Sequence, residues 1–422
     1  MNDTTASADA LAPSTSCESA GLHQRLVMSA LRKMDAGHLR LQLPDGTVHH
    51  LGTEHGSHTA TLVILRPSFF TRVLLYGDVG FGEAYVEGDC DTDDIERLIS
   101  WAILNLDKSP SFSGSRTKRL GLNLLQVTNR LRHLLRPNSK STARRNIAEH
   151  YDLGNGFYQL WLDPTMTYSS ARWRTPEQSL EEAQIGKYDA LCQQLKLTAS
   201  DHVLEIGSGW GGFASHAVRR YGCRVTTVTI SRQQHDYAAE RFRREGIADR
   251  IDLRLQDYRD ITGTFDKVVS IEMMEALGDK YLETYFAKIH EVLAPHGLVA
   301  LQYITCPDSR HRQMKGGIDW IQKHIFPGSL LLSIGRVSQA ASRTGDLFLH
   351  QLDDFGLDYA RTLREWHTTF NSRLEEVRAH GFDGRFIRRW NYYLHYCAAA
   401  FAMRNISVVQ ATYTRPNNPL LR

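Results

Sequence analysis

No run of about 18 apolar residues occurs in this chain of 422, so no helix is expected to cross a bilayer. Residues 1–20 are polar, with neither a basic start nor an apolar stretch behind it. They read as a disordered terminus and not as a secretory signal. The six cysteines, at 17, 90, 192, 223, 306 and 397, form no Cys-x-x-Cys pair. Their scatter argues against structural zinc and suits a reducing cytosol. The nineteen histidines are dispersed as well, so no metal site is expected. Internal repeats are also absent. One absence is local: from Lys108 to Arg145 there are ten Lys or Arg and no Asp or Glu. Setting those ten charges aside turns the net +3 of the chain into −7 for the remainder. A basic block on an acidic body points to a polyanionic partner, either nucleic acid or an anionic membrane. The block carries leucine where a nucleic-acid platform would want stacking aromatics, so no nucleic-acid partner is expected.

What is present centres on Val203-Leu-Glu-Ile-Gly-Ser-Gly-Trp-Gly-Gly-Phe213. An apolar strand runs through Glu205 into Gly207, Gly209, Gly211 and Gly212, and a helical pattern follows. Glycine permits positive φ and lets a ligand approach the backbone closely. Free N–H groups at the next helix start attract polar or anionic ligand groups. Dinucleotide sites use such a turn too. Here, however, the acid precedes the glycines, and the next strand ends in Thr229-Ile230-Ser231, with no Asp or Glu for a ribose.

Strands are expected at 202–206, 224–229, 251–255, 266–271 and 298–304, and helices at 178–196, 212–221, 232–245 and 280–293. A long helical insertion over 319–379 should precede two last strands, near Phe386 and over 407–413. This alternation predicts an α/β fold, a doubly wound seven-stranded Rossmann-like sheet. The chain is too long for one ordinary core, and a smaller α+β domain is expected before it. That domain should contain a hairpin over 39–48 turning at Pro44-Asp45-Gly46, a strand at 60–65, helical residues 69–75, a Gly-rich acidic stretch at 77–88 and a helix at 91–102. The expected boundaries are 1–20 for the terminus, 21–106 for the small domain, 107–148 for a basic linker, 149–416 for the large domain and 417–422 for a tail. Within the linker, Leu120, Leu124, Val127, Leu131 and Leu134 form one apolar helical stripe. It fits a helix lying on anionic lipid, and equally a connector packed on the large domain.

The pattern Glu-x-Gly-x-Gly-x-Gly resembles the first motif of S-adenosylmethionine-dependent methyltransferases. From about Leu39 to Pro416 the chain further resembles the cyclopropane-fatty-acid synthase family. The resemblance rests on Gly82-Glu-Ala-Tyr-Val-Glu-Gly-Asp89, His150-Tyr-Asp-Leu-Gly-Asn155, Asp163-Pro-Thr-Met-Thr-Tyr-Ser169, Thr227-Val-Thr-Ile-Ser231, Leu255-Gln-Asp-Tyr-Arg-Asp260 and Phe355-Gly-Leu-Asp-Tyr-Ala-Arg-Thr-Leu363. It implies methyl transfer from S-adenosylmethionine to a cis double bond in a phospholipid acyl chain, followed by ring closure. It implies cofactor contacts from Tyr168, Ser169, Glu205, Gly207, Gly209, Gly211, Thr229, Ile230, Gln234, Asp257 and Tyr258. It further implies a bound bicarbonate acting as base, caged by Ser170, Glu275, Gln302, Ile304 and Tyr359. The implied setting is cytoplasmic, peripheral at the inner face of the cytoplasmic membrane, and compatible with a homodimer.

An alkene is a weak nucleophile that no side chain can activate by deprotonation, so orientation in a dry apolar pocket must carry much of the rate. A base must then remove a proton. The family commonly has Cys at position 170, His at 302 and His at 276, where this chain has Ser170, Gln302 and Ala276. Ser and Gln keep hydrogen-bonding capacity but cannot become cationic. A methyl-branched or methylene product without ring closure therefore stays open. So does a lipid-binding relative without catalysis, which the intact glycines, Glu275 and Tyr359 disfavour. Another small-molecule substrate on the same fold is disfavoured by the small domain and the basic block. The basic block yields a direct test. Replacing Arg130, Arg132 and Arg136 by Glu is expected to weaken co-sedimentation with phosphatidylglycerol or cardiolipin vesicles, each lost charge being worth about 1 kcal/mol at low salt. Binding of S-adenosylmethionine should persist. Undiminished sedimentation would make the segment a linker only.

Overall fold

The computed structural model describes residues 16–53, 58–108 and 153–421. The basic linker and its leucine stripe lie outside the described residues, apart from Asp107 and Lys108, and so do residues 1–15.

The N-terminal unit opens with the helix Ser16–Leu31, which begins inside the stretch expected to be disordered. Strands β1 (His38–Gln42), β2 (Val48–Gly52), β3 (Thr59–Ile64) and β4 (Cys90–Asp91) form a small mixed sheet in the order β2-β1-β3-β4. β1 and β2 are the expected hairpin, and the strand expected at 60–65 is β3. The Gly-rich stretch 77–88 is mostly helix: Ser68–Val86 continues across a kink at Gly77, where φ is 59° and ψ −129°. Only glycine takes that conformation cheaply, so the helix bends there without ending. Asp94 caps the helix Ile95–Leu104 by accepting from the Arg97 N–H at 3.0 Å.

The larger unit is built on β5 (His202–Ile206), β6 (Arg224–Thr229), β7 (Ile251–Leu255), β8 (Phe265–Ile271), β9 (Leu293–Thr305), β10 (Phe348–Asp354) and β11 (Ser407–Thr414). Their order is β10-β11-β9-β8-β5-β6-β7, seven strands as expected. β5 to β9 run parallel, and β11 is antiparallel to both its neighbours. Helices cover the sheet, so its central strands are buried on both faces; β9 is buried almost throughout. Chain direction across the sheet reverses at β5, between β8 and β6. The loop after β5 therefore opens into the crevice where such sheets bind ligands.

Two expectations fail. Phe386 lies in the helix Gly384–Ala402 and not in a strand. Its aromatics Phe386, Trp390, Tyr392 and Tyr393 have β propensity, but packing against neighbouring helices overrides that local preference. The insertion 319–379 is not wholly helical either, because β10 lies inside it as an exposed, polar edge strand.

The helix Gly384–Ala402 packs against Ile95–Leu104 and Ser68–Val86 of the N-terminal unit and against Gly356–Ser372 of the larger one. One continuous hydrophobic core results, running from Leu39 and Phe70 through Trp101 to Trp161, Trp366 and Trp390. Across the same seam, Glu83 pairs with Lys323 at 2.5 Å and His324 at 2.9 Å, and Glu96 pairs with Arg364. Burial and aromatic packing dominate here, because half-exposed ion pairs contribute little.

Candidate active site

The strand β5 ends in a turn that only glycine accommodates well. Gly207 has φ 98° and Gly209 φ 48°. A Cβ on Gly209 would meet nothing within 4 Å, because that position faces a cavity. Gly211 plays a different part. It starts the helix Gly212–Tyr221 in a left-handed conformation, and a Cβ there would lie 2.7 Å from Phe242. Gly211 therefore serves helix packing and does not line the cavity.

The cavity measures about 620 Å³. Tyr168, Ser169, Glu205, Gly207, Gly209, Thr229, Ile230, Gln234, Asp257 and Tyr258 all line it. The Tyr168 hydroxyl meets that of Tyr393 at 2.7 Å. Thr229 Oγ1 donates to Gln234 Oε1 at 3.1 Å, placing two polar groups where the ribose acid is missing. Asp257 is clamped by Arg259 through Nε at 2.8 Å and a terminal nitrogen at 2.7 Å. Glu205 is buried and accepts from Thr227 Oγ1 at 2.5 Å; burial pushes its carboxyl up to about 8. These residues fit the cofactor: open backbone at the glycines, polar ends at Thr229 and Gln234, and an aromatic beside Asp257. Lys187 was not anticipated. It is fully buried on the cavity wall, its Nζ has no hydrogen-bond partner among the described residues, and burial drives its ammonium down to about 7. No sequence signal set it apart from an ordinary helix lysine. Among the described residues no cluster of His, Cys, Asp or Glu could hold a metal ion.

The five residues of the implied bicarbonate cage do come together, in an unexpected arrangement. Glu275 Oε1 accepts the Ile304 N–H at 2.5 Å, while Oε2 has no partner among the described residues. Burial first, and Glu272 second, raise the Glu275 carboxyl to about 8. The donors that should face an anion are already engaged by Glu272. Its Oε1 accepts from Ser169 Oγ at 2.7 Å, the Ser170 N–H at 2.9 Å and Gln302 Nε2 at 2.8 Å; its Oε2 accepts from Tyr359 OH at 2.8 Å. The Ser170 hydroxyl turns away to the Ala171 carbonyl at 2.9 Å. Ser170 and Gln302 stand behind the cavity wall, while Glu272, Glu275, Ile304 and Tyr359 line it. A bound bicarbonate does not fit this cage as it stands. Glu272 escaped the sequence reading, although a second acid three residues before Glu275 at the end of β8 was a usable signal.

Comparison with known proteins places the chain among lipid-modifying methyltransferase relatives. A family described as mycolic acid cyclopropane synthetase matches residues 138–411. Tuberculostearic acid methyltransferase UfaA1 of Mycobacterium tuberculosis is 35% identical over 93% of this chain and 92% of its own. The cyclopropane-fatty-acyl-phospholipid synthase of Escherichia coli K12 is 35% identical over 86% of this chain and 89% of its own. Among solved structures, the mycolic acid cyclopropane synthase CmaA1 complexed with SAH and CTAB aligns with TM-score 0.60 at 28% identity, over 64% of this chain and 98% of its own.

Two measurements probe the cofactor wall. Gly209→Val should abolish S-adenosylhomocysteine binding by calorimetry in a folded protein, since the new side chain fills open cavity space. Unchanged affinity would move the site elsewhere. Glu205→Gln should raise the melting temperature of the unliganded protein at pH 8. The native carboxyl stays protonated up to about 8, whereas the unfolded one ionises near 4.5, so stability falls as pH rises through that window. The gain should fade by pH 5, and a gain independent of pH would exclude this cause.

Proposed function

The chain belongs to the mycolic acid cyclopropane synthetase family, S-adenosylmethionine-dependent methyltransferases, and from that premise we propose that it alkylates the cis double bond of an unsaturated phospholipid acyl chain and closes a cyclopropane ring. One observation carries this reading. One cavity is lined both by the glycine turn with its polar neighbours and by the apolar side chains Leu363, Tyr393, Phe401, Ile406, Leu39, Phe69 and Trp101. The same space therefore offers polar groups to a cofactor and an apolar wall to an acyl chain.

The cofactor, when bound, supplies an electrophilic methyl group on a sulfonium. Everything else falls to the protein. Gly207 and Gly209 leave backbone open to the cofactor's amino-acid end, with Glu205 beside them. Thr229, Ile230 and Gln234 would hold its ribose, and Asp257 and Tyr258 its base. Tyr168 and Ser169 stand between the polar and apolar parts. The apolar wall keeps water from an electron-deficient carbon, which water would otherwise trap. Burial first, and Glu272 second, favour the neutral form of Glu275, whose Oε1 accepts from the Ile304 N–H, and a neutral Glu275 would add no second negative charge beside Glu272.

The reading also seats the enzyme at the inner face of the cytoplasmic membrane, supported by the ten basic residues between Lys108 and Arg145. A phospholipid chain does not diffuse freely to a dissolved enzyme, so the cavity has to be presented to the surface. A second reading, a methyl-branched or methylene product, draws on Ser170, Gln302 and Glu272: with a different proton acceptor in the cage, a different proton can be the one removed. Lipid analysis separates the two. Host membranes containing the protein should show acyl chains longer by one CH2 that take up no hydrogen on mild catalytic hydrogenation. Uptake of hydrogen by the lengthened chains would select the second reading, and unaltered chains would overturn both.

A further inference from the structure

We propose that the carboxylate of Glu272 is this enzyme's resident proton acceptor, standing in the anion position of the cage in place of an exogenous bicarbonate. The inference rests on the alkylation reading above and deepens it at the same site.

Four donors converge on this one carboxylate: Ser169 Oγ, the Ser170 N–H, Gln302 Nε2 and Tyr359 OH, all between 2.7 and 2.9 Å. An acceptor-only group among donors is what an ionised carboxylate satisfies. The donors are themselves fixed. Gln302 Oε1 accepts from Gln410 Nε2 at 3.0 Å, which turns the Gln302 amide nitrogen toward Glu272. The Tyr359 ring packs 4.5 Å, centroid to centroid, from Phe401. A histidine at 302 could carry a positive charge and draw in a mobile anion; glutamine cannot, and with a tethered carboxylate present it has no need to. The backbone points the same way. Glu272 has φ 46°, a left-handed conformation that costs a residue bearing Cβ about 1–2 kcal/mol. A glycine would relieve that strain, so the carboxylate stands here at a local backbone cost.

The proton step balances without an added reagent. The alkene π pair forms a bond to the transferred methyl carbon as the sulfur–carbon bond breaks, its pair going to sulfur. The second alkene carbon is left electron-deficient. Glu272 takes a proton from the delivered methyl, an O–H bond forms, and the C–H pair closes the three-membered ring onto that carbon. The proton then passes to solvent. Nothing is oxidised or reduced beyond the alkylation itself.

The test uses the full-length enzyme on vesicles containing unsaturated phospholipid. In buffer stripped of carbon dioxide and bicarbonate, wild-type turnover should be unchanged, and a drop restored by bicarbonate would overturn the proposal. Because that outcome still shows chain alkylation, it is distinct from failure of the alkylation reading, in which no lengthened chain forms at all. Glu272→Gln should lose about 100-fold or more in turnover, the range for removing a general base, while S-adenosylhomocysteine affinity holds. Near wild-type turnover in that variant would also overturn it. Glu272→Gly relaxes the backbone and vacates the cage. Its turnover should return on adding bicarbonate or formate, and the 13C signal of labelled bicarbonate should broaden with this variant and not with the wild type. A folded Glu272→Gly protein that neither binds bicarbonate nor regains turnover would show that the cage does not hold an anion there.

Discussion

The carboxylate of Glu272 is the one acceptor shared by three parts of the chain, which also touch directly through Gln302 Nε2 to Ser169 Oγ at 3.0 Å and the Ala171 N–H to Thr362 Oγ1 at 3.1 Å. The 169–170 loop, strand β9 at Gln302 and the helix Gly356–Ser372 at Tyr359 each send a donor to it. Hydrogen bonds to a charged group contribute about 1.5–3 kcal/mol each, and a buried donor left unpaired costs about as much. The cage is therefore stable only as a complete set. Its completeness fixes where Tyr168 and Ser169 stand at the cofactor, and where Tyr359 and Phe401 stand along the apolar tract.

A second constraint lies in the seam between the two units. The helix Gly384–Ala402 belongs to the larger unit by sequence, yet it buries part of its surface on helices of the smaller one. The apolar cavity follows that helix, past Tyr392, Tyr393, Tyr396 and Cys397. The N-terminal unit thus supplies wall, and the small sheet β2-β1-β3-β4 is a scaffold for that wall. Near the far part of the cavity, burial first and Asp319 second raise the Asp78 carboxyl to about 7. Asp78 directly follows Gly77, at the kink in its helix.

The parallel strands were legible for different reasons: β5 and β8 are short, largely buried segments, β6 is β-branched Val and Thr throughout its interior, and edge strand β7 alternates Ile251, Leu253 and Leu255 with Asp252 and Arg254. The glycine turn was legible because its residues are needed for backbone reasons. The edge strand β10 was not: Phe348-Leu-His-Gln-Leu-Asp-Asp354 is polar and exposed, and what makes it a strand is β11 beside it. The helix around Phe386 was misread because Phe157 packs on Phe382 and Trp390 there, at 4.8 and 5.1 Å, so aromatics that suggest a sheet were serving a helix-to-helix contact. At the active site, spacing named the cage residues but could not say what fills the cage. That depends on the direction in which Glu272 leaves the end of β8, a property of one backbone angle. The departures at 170 and 302 were visible, and their meaning emerged only beside the third residue.

The apolar tract has a consequence for regiochemistry. Its aliphatic and aromatic wall presents the same face to a saturated carbon as to an unsaturated one. It therefore has little means of recognising a double bond as such. Such a wall can select a bond only through where it halts the chain, so the selection is spread over lining residues of both units, Phe69 and Trp101 of the N-terminal one among them, and is not confined to the groups around Glu272.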